Sequence, residues 1–271
     1  MCYGGTTHGF TCRRYYHHFV YKHFLYSINR HLWSKEVFKI RFNRNVEMGK
    51  IILKSKNLVK SYQNGEERLV VLNGISLELE AGSITTIIGE SGSGKSTLLN
   101  VLSSLDTFDS GKLLIGNTDI VSFNEKKLSA FRNKKIGFIF QFHHLLPDFT
   151  VMDNILMPMW IKNGFGQYDR PSELLGDFGL LKIKDKYPAE ISGGERQRVA
   201  VIRSIVNNPE ILFADEPSGS LDEKNSTKLI DLFKRINRDF NTTIVLTTHN
   251  PSIAKVGRKV YELKSGQLIK V

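Results

Sequence analysis

Apolar and polar residues follow two different periods along this chain, and each period predicts a kind of secondary structure. Residues 76–80 read Ser-Leu-Glu-Leu-Glu, an alternation that predicts a strand with one exposed face. Residues 211–214 read Ile-Leu-Phe-Ala, an unbroken apolar run that predicts a central parallel strand buried on both faces. Similar runs, rich in apolar and β-branched residues, predict further strands at residues 83–88, 136–140 and 243–247.

Helical patterns lie between these strands. Residues 94–105 and 222–240 are predicted to form helices. Strands that alternate with helices predict a doubly wound α/β sheet. Residues 142–187 carry mixed helical patterning with Pro and Gly breaks, which predicts an inserted helical subdomain.

The first 47 residues differ from the rest in composition. They hold five of the eight histidines and 11 of the 28 aromatic residues, and they show no steady period that would give a buried face. Three interpretations stay open for this basic, aromatic-rich extension: a translated stretch upstream of a true start at Met48, a basic arm that contacts lipid or nucleic acid, or an organelle-targeting segment. We therefore expect the domain proper to span residues 48–271.

Charge and cysteine content narrow the class of protein. The net charge is +11, but residues 1–47 contribute eight Lys/Arg against two Asp/Glu, so a nucleic-acid interpretation based on total charge rests largely on this extension. Both cysteines, Cys2 and Cys12, also lie there, so the rest of the chain cannot be held by disulfides. No apolar run approaches the roughly 20 residues that span a bilayer, and the most apolar part of the extension is interrupted by Lys22 and His23. We expect any work at a membrane to go through partners.

A glycine-rich loop after the strand at residues 83–88 carries the first candidate chemistry. It fits the phosphate-loop pattern of two spaced glycines followed by Lys and Ser, between a strand and a helix. Backbone N–H groups in such a loop point at phosphate oxygens, and the helix N-terminus adds positive potential. Lys95 supplies a full charge to the β and γ phosphates, and the Ser96 hydroxyl is a ligand for Mg²⁺. The alternative is a Gly/Ser-rich turn before an ordinary helix. The candidate nucleotide-binding residues are Gly89, Glu90, Ser91, Gly92, Ser93, Gly94, Lys95, Ser96 and Thr97.

Two carboxylates follow the apolar run at residues 211–214. A buried strand delivers Asp215 and Glu216 to the crevice where ligands bind in open α/β sheets. We expect Asp215 to help hold Mg²⁺ and Glu216 to polarise the attacking water as general base. The alternative is that both acids only cap the helix that follows.

A second anion site is predicted at Ser192, Gly193 and Gly194, which open a helical pattern. Alone, this tripeptide is usually a helix cap. Two phosphate-binding loops in one chain suit a head-to-tail homodimer, in which each ATP lies between the phosphate loop of one copy and the Ser-Gly-Gly of the other.

Taken in order, these motifs resemble the nucleotide-binding domain of ABC transporters, across about residues 51–271. The resemblance implies further roles. Tyr62 looks like the aromatic residue that stacks on adenine, and Gln141 looks like the glutamine that senses Mg²⁺ and the γ-phosphate and links to the membrane subunit. Residues 220–222 (Ser-Leu-Asp) look like the loop that contacts the other subunit, and His249 resembles the switch histidine on the γ-phosphate.

The same resemblance implies a fold, ligands and partners. The expected fold is α/β, a P-loop NTPase core of ABC type with an antiparallel β subdomain and the inserted α-helical subdomain at about residues 142–187. The expected partners are a second copy of the chain and integral membrane permease subunits, and nucleic acid is not expected. Ile191 stands where leucine is usual in the family signature and keeps the apolar character. ATP and Mg²⁺ are the expected ligands, with Ser96, Gln141 and Asp215 as metal candidates and Lys95, Gln141, Glu216 and His249 as catalytic candidates.

Residues 141–158 indicate a branch of this family. The run Gln-Phe-His-His-Leu-Leu-Pro-Asp-Phe-Thr, followed by Asn154 and by Met157 and Pro158, resembles the ATPases of bacterial lipoprotein-releasing systems. This implies a peripheral location on the cytoplasmic face of the inner membrane, permease subunits of the LolC/LolE kind, and lipoprotein as an indirect substrate. ATPases of macrolide-efflux (MacB) and cell-division (FtsE) type have a similar sequence here and stay open as alternatives. A soluble ABC machine that acts on nucleic acid or ribosomes is a further alternative.

Apolar side chains beside Gln141 have two interpretations. They are candidates to receive a helix of the membrane subunit, or they form the core of the helical subdomain. The adjacent His143 and His144 have no Cys or His partner at ligand spacing, so we expect no metal there. The apolar candidates are Phe142, Leu145, Leu146 and Phe149.

Overall fold

The computed structural model describes residues 49–166, 168–219 and 222–271. The predicted extension at residues 1–47, with both cysteines, lies outside the described residues. Ser220 and Leu221 of the predicted subunit-contact loop lie outside them as well. Within the described part of the chain, no helix combines the length and the apolar character that crossing a bilayer requires.

Two sheets organise the described residues. The smaller sheet is antiparallel with the strand order β2-β1-β4-β5, and the larger has the order β10-β9-β3-β8-β7-β6, parallel except for β10 at one edge. In these orders the strands are β1 (Ile51–Asn64), β2 (Glu67–Glu80), β3 (Ile84–Ile88), β4 (Ser110–Ile115), β5 (Thr118–Asp119), β6 (Ile136–Ile139), β7 (Ile211–Asp215), β8 (Thr243–Thr248), β9 (Lys259–Lys264) and β10 (Gln267–Lys270).

Helices connect the parallel strands and cover both faces of their sheet. The α-helices are α1 (Lys95–Leu102), α2 (Glu125–Lys135), α3 (Val151–Asn163), α4 (Asp169–Asp177), α5 (Gly193–Ile205), α6 (Glu223–Phe240) and α7 (Pro251–Ala254). Short 3-10 turns occupy Ile120–Ser122, Leu181–Ile183 and Pro188–Glu190. Helices α1 and α6 and the parallel strands confirm the helices and strands predicted from the sequence, although their ends differ from the predicted ones by a few residues.

The strand β7 shows why the core has two halves. All five of its residues are buried, and the side chains of residues 211–214 alternate between two hydrophobic clusters. Ile211 and Phe213 pack with α1 and the antiparallel sheet, whereas Leu212 and Ala214 pack with α3, α5 and α6. Burial on both faces explains the unbroken apolar run, and the α/β fold class is confirmed.

The strand β2 shows the other pattern. Ile75, Leu77 and Leu79 are buried while Ser76 and Glu78 are exposed, as the alternation in the sequence predicted. This one-sided burial fits an antiparallel sheet that packs on the core with one face only.

Helix α3 begins where the sequence provides a cap. The hydroxyl of Thr150 accepts a hydrogen bond from the backbone N–H of Asp153, and the Asp153 carboxylate bonds back to Thr150, which closes a capping box at the start of α3. Helices α3, α4 and α5 then share the cluster that covers one face of the parallel sheet.

Phe213→Ala is expected to destabilise the domain by about 3–5 kcal/mol, because the ring is fully buried against α1 and its removal leaves a cavity. Phe165→Ala is the matched control, since its ring is 83% exposed and such truncations usually cost about 0.5 kcal/mol. Urea unfolding followed by circular dichroism measures both changes. Equal unfolding midpoints for the two variants would contradict the assignment of Phe213 to the core.

Candidate functional site

The loop between β3 and α1 has a backbone that requires glycine at two positions. Gly94 has φ +99°, and a Cβ there would lie 2.8 Å from Cγ1 of Val71. Gly89 has φ +157°, and a Cβ there would lie 2.6 Å from the carbonyl oxygen of Leu263. At Gly92, by contrast, a Cβ would meet no atom within 4 Å, so this part of the loop faces open space. The loop therefore packs tightly on one side and leaves its other side free to wrap an anion.

Lys95 opens helix α1 and is almost fully buried, with 4% of its side chain exposed. Its Nζ donates hydrogen bonds to the carbonyl oxygens of Gly89 and Glu90, at 3.0 and 2.8 Å. It also lies 3.2 Å from Oε1 of Glu216. The ammonium group is thus held at the centre of the loop, where a phosphate would meet a full positive charge.

Asp215 and Glu216 stand at the carboxyl end of β7, beside the end of β8. Parallel pairing sets Asp215 opposite Thr247, whose hydroxyl donates to Oδ1 of Asp215 at 2.8 Å. The same hydroxyl accepts a hydrogen bond from the backbone N–H of Glu216, at 3.1 Å. Glu216 has φ +41°, an unusual conformation for a residue with a side chain, and Thr247 helps to hold it. The sequence alone did not indicate a role for Thr247, although its position at the end of the next predicted strand pointed to the same edge of the sheet as Asp215.

His249 completes a chain of three charged or polar groups. Its Nδ1 lies 2.9 Å from Oε2 of Glu216, whose other oxygen pairs with Lys95. The Glu216 side chain is 16% exposed and the His249 side chain 63% exposed, so the chain runs from the buried lysine to the surface. One carboxylate therefore lies between the buried Lys95 and a histidine that reaches solvent.

Gln141 follows β6, a strand that pairs in parallel with β7. Gln141 and Asp215 therefore lie at the same end of the sheet. A Cβ built on Gly219 would lie 3.7 Å from Nε2 of Gln141, which places the exposed glutamine beside the loop after Glu216. Ser96, the third metal candidate, is exposed in the first turn of α1.

The Ser-Gly-Gly segment belongs to a separate set of contacts. Ser192 caps α5: its hydroxyl accepts from the N–H of Glu195 at 3.3 Å and donates to Oε2 of Glu195 at 2.7 Å. Hydrogen bonds that the hydroxyl and the backbone N–H of Ser192 donate to the Glu195 carboxylate lower its pKa. A phosphate that binds the Ser192 hydroxyl would have to compete with this carboxylate. A Cβ on Gly194 would lie 3.2 Å from Oδ1 of Asn225 in α6, so that glycine packs closely against the next helix.

Tyr62 is 41% exposed at the end of β1, and its hydroxyl donates to Oδ2 of Asp106 at 2.7 Å. Nζ of Lys60 lies 4.8 Å from the centre of the Tyr62 ring. The sequence alone indicated no role for Asp106, because its link to Tyr62 joins segments 44 residues apart.

The four apolar candidates beside Gln141 divide between the two interpretations. Phe142, Leu146 and Phe149 are exposed by 69%, 39% and 38%, whereas Leu145 packs against the core. His143 is half-buried, and burial lowers the pKa of its imidazole, an effect that a hydrogen bond with Gln197 opposes. Among the described residues no group of three His, Cys, Asp or Glu side chains is placed to hold a metal ion.

Comparison with known proteins agrees with this geometry. The family model described as "ABC transporter" matches residues 72–219. The lipoprotein-releasing system ATP-binding protein LolD of Blochmanniella floridana is 44% identical over 228 residues, which cover 83% of this chain and 97% of that protein. The LolD protein of Legionella pneumophila (strain Paris) is 42% identical, with 82% and 98% covered. A solved dimeric structure of the ATP-binding cassette MJ0796, in a post-hydrolysis state with ADP and Pi, superposes with a TM-score of 0.75 at 35% identity, covering 80% of this chain and 96% of that one.

The fold and the site thus define an ATPase of the ABC class that binds ATP. The chain belongs to the ABC transporter ATP-binding family, and within that family to the LolD type.

Proposed function

We propose that this ABC ATPase drives the release of lipoproteins from the inner membrane toward the outer membrane. It would work from a peripheral position on the cytoplasmic face, through permease subunits of the LolC/LolE kind. The observation that supports this most directly is the similarity to LolD proteins over nearly their whole length. The run at residues 141–158, quoted above, lies within the same region.

We assign the catalytic roles by position. Lys95 binds the β and γ phosphates, and Glu216 accepts a proton from the attacking water. His249 orients the γ-phosphate, which its 2.9 Å contact with Glu216 supports. Gln141 reports the state of the γ-phosphate to the permease, and the exposed rings of Phe142 and its apolar neighbours receive a helix of that subunit.

The metal candidates suit Mg²⁺ by the chemistry of their donors. Ser96, Gln141 and Asp215 offer a hydroxyl, an amide and a carboxylate oxygen, which are ligands that this hard cation prefers. The Thr247 hydroxyl fixes the Asp215 carboxylate, so the acid needs little reorganisation to act as a ligand. When bound, Mg²⁺ neutralises charge on the phosphates.

We further propose a head-to-tail homodimer that closes on ATP. The phosphate loop and Ser192 have separate sets of hydrogen-bond partners, which supports their use by two different nucleotides. The dimeric MJ0796 structure supports the same arrangement by similarity. Gly193 and Gly194 would complete the site from the second copy, and residues 220–222 would meet it. Loss of the γ-phosphate removes charge from the interface, so the dimer opens.

The proposed domain spans residues 48–271, with the helical subdomain at about 142–187. The helices α3 and α4 and the turn at Leu181–Ile183 fall inside these limits. The subdomain carries the exposed apolar side chains next to Gln141, so it is the part placed to meet a membrane subunit.

Copurification separates this function from its rivals. A tagged chain, purified from solubilised native membranes, is expected to bring integral membrane subunits and bound lipoprotein. Phe142→Asp is expected to weaken that association at least about tenfold by placing a charge in an apolar contact. Phe165→Asp, which places the same charge on an exposed ring after the C-terminal end of α3, serves as the control. A macrolide-efflux or cell-division partner in place of lipoprotein would contradict the proposal.

A further inference from the structure

A short segment after helix α1 holds the end of strand β1. Oδ1 of Asp106 accepts a hydrogen bond from Nζ of Lys60 at 2.8 Å, and Oδ2 accepts one from the Tyr62 hydroxyl at 2.7 Å. One carboxylate therefore joins two side chains that lie on the same strand, two residues apart.

The two contacts fix the ring of Tyr62 from two directions. The hydroxyl is held at its tip, and the ammonium group of Lys60, only 8% exposed, lies over one face of the ring at 4.8 Å. A cation placed there is attracted by the ring electrons, and Asp106 keeps it in position. The opposite face remains for a planar ligand, in keeping with a residue that is 41% exposed.

The ionisation of both groups suits this arrangement. Burial raises the pKa of the Tyr62 hydroxyl and the Asp106 carboxylate raises it further, so the hydroxyl stays a donor. Burial acts on Asp106 in the direction of a higher pKa, but hydrogen bonds from Lys60 and Tyr62 outweigh it and lower the pKa. The carboxylate thus remains the charged acceptor that both donors require.

Asp106 is also fastened to the phosphate-loop helix. Its backbone N–H and that of Leu105 both donate to the carbonyl oxygen of Asn100 in α1, at 3.1 and 2.8 Å. Helix α1 begins at Lys95. The tyrosine ring and the phosphate-binding lysine are therefore linked through one rigid helix and one carboxylate.

We propose that Asp106 is a positioning residue for the nucleobase. It holds the Tyr62 ring at a set distance from the phosphate loop, so that one nucleotide places its base on the ring and its triphosphate at Lys95 together. The inference rests on the proposed stacking of adenine on Tyr62, and it extends that role to a residue which does not touch the nucleotide.

The test compares two neighbouring carboxylates. Asp106→Ala is expected to raise the KM for ATP about five- to tenfold, the loss of a charge-assisted hydrogen bond that solvent partly screens, with kcat changed less than about twofold. Asp109→Ala is the matched control. Asp109 is equally exposed and binds Ser61 and Arg68 rather than Tyr62, so KM should stay at the wild-type value. Asp106→Asn, which keeps the shape, should give an intermediate KM and guards against a folding defect.

Inorganic tripolyphosphate separates positioning of the base from a general effect on the fold. As a competitor of ATP it has no base to stack, so its inhibition constant should be the same in the wild type and in Asp106→Ala. An equal rise in both constants, or an unchanged KM in Asp106→Ala, would overturn the proposal. Tyr62→Ala tests the stacking role itself. If this variant leaves the KM for ATP unchanged, Tyr62 does not stack on the base. If Tyr62→Ala raises the KM for ATP but Asp106→Ala does not, only the proposed role of Asp106 is overturned.

Discussion

Glu216→Gln is expected to slow ATP hydrolysis about 10²–10⁴-fold while ATP binding is retained. The amide has nearly the same shape as the carboxylate but cannot accept a proton from water. The positive φ of Glu216 and its contacts with Lys95 and His249 fix the side chain, so the loss falls on the proton transfer rather than on the position of the group.

A steady-state ATPase assay measures the rate of hydrolysis, and calorimetric titration with ATP measures binding. Glu210→Gln is the matched control, since Glu210 is also a partly buried acid paired with a lysine, Lys135, and lies at the opposite end of β7. The slow variant is expected to accumulate as an ATP-bound dimer in light scattering, and Ser192→Arg added to it should return the protein to a monomer. Hydrolysis by Glu216→Gln at the wild-type rate would show that another group is the base.

The parallel sheet was predictable because its strands are buried on both faces. In β7 each of residues 211–214 packs in one of two apolar clusters, so this run must be apolar, and a local pattern carries the information. The phosphate loop was predictable for a similar local reason. A side chain at Gly89 or Gly94 would clash with neighbouring residues, so both positions require glycine, and their fixed spacing is visible in the sequence.

Other features depend on contacts between distant segments, which local periods do not record. Asp106 and Tyr62 are 44 residues apart, and nothing near either of them signals the pair. Proline and glycine breaks were predicted in the helical pattern of residues 142–187, yet Pro158 lies inside α3. Side-chain amides of Asn133 and Asn207 donate to its carbonyl oxygen, at 3.1 and 2.9 Å, so the helix is held there by neighbours.

The edge hairpin of β9 and β10 and the helix α2 were not predicted individually. Helix α2 buries none of its residues fully, and its apolar contact with the core is limited to the partly buried Leu128 and Phe131, too short a face for a pattern to reveal. The backbone of Glu216 is a further case. Its φ of +41° is stabilised by the hydrogen bond that Thr247 on the next strand accepts, and the acid itself gives no sign of it.

Lys95→Ala is expected to weaken ATP binding at least about 10²-fold, because the triphosphate loses its charge-assisted hydrogen bonds to a desolvated ammonium group. Hydrolysis falls with binding. Lys95→Gln should weaken ATP binding to a similar extent, because the amide carries no charge. The amide can still donate to the carbonyl oxygens of Gly89 and Glu90.

Thermal unfolding with and without ATP distinguishes lost binding from lost folding. With ATP at 100 times the wild-type Kd, the wild type should gain about 2.7 kcal/mol of stability, and each Lys95 variant should gain at most about 0.4 kcal/mol. Lys54→Ala, which removes an exposed lysine paired with Glu78 on the antiparallel sheet, should keep the full gain. Lys95→Gln matters most here, because it keeps donors for both loop carbonyls and so leaves the loop folded. Full stabilisation of that variant by ATP would mean that the backbone of the loop, and not the charge of Lys95, provides the affinity for the triphosphate.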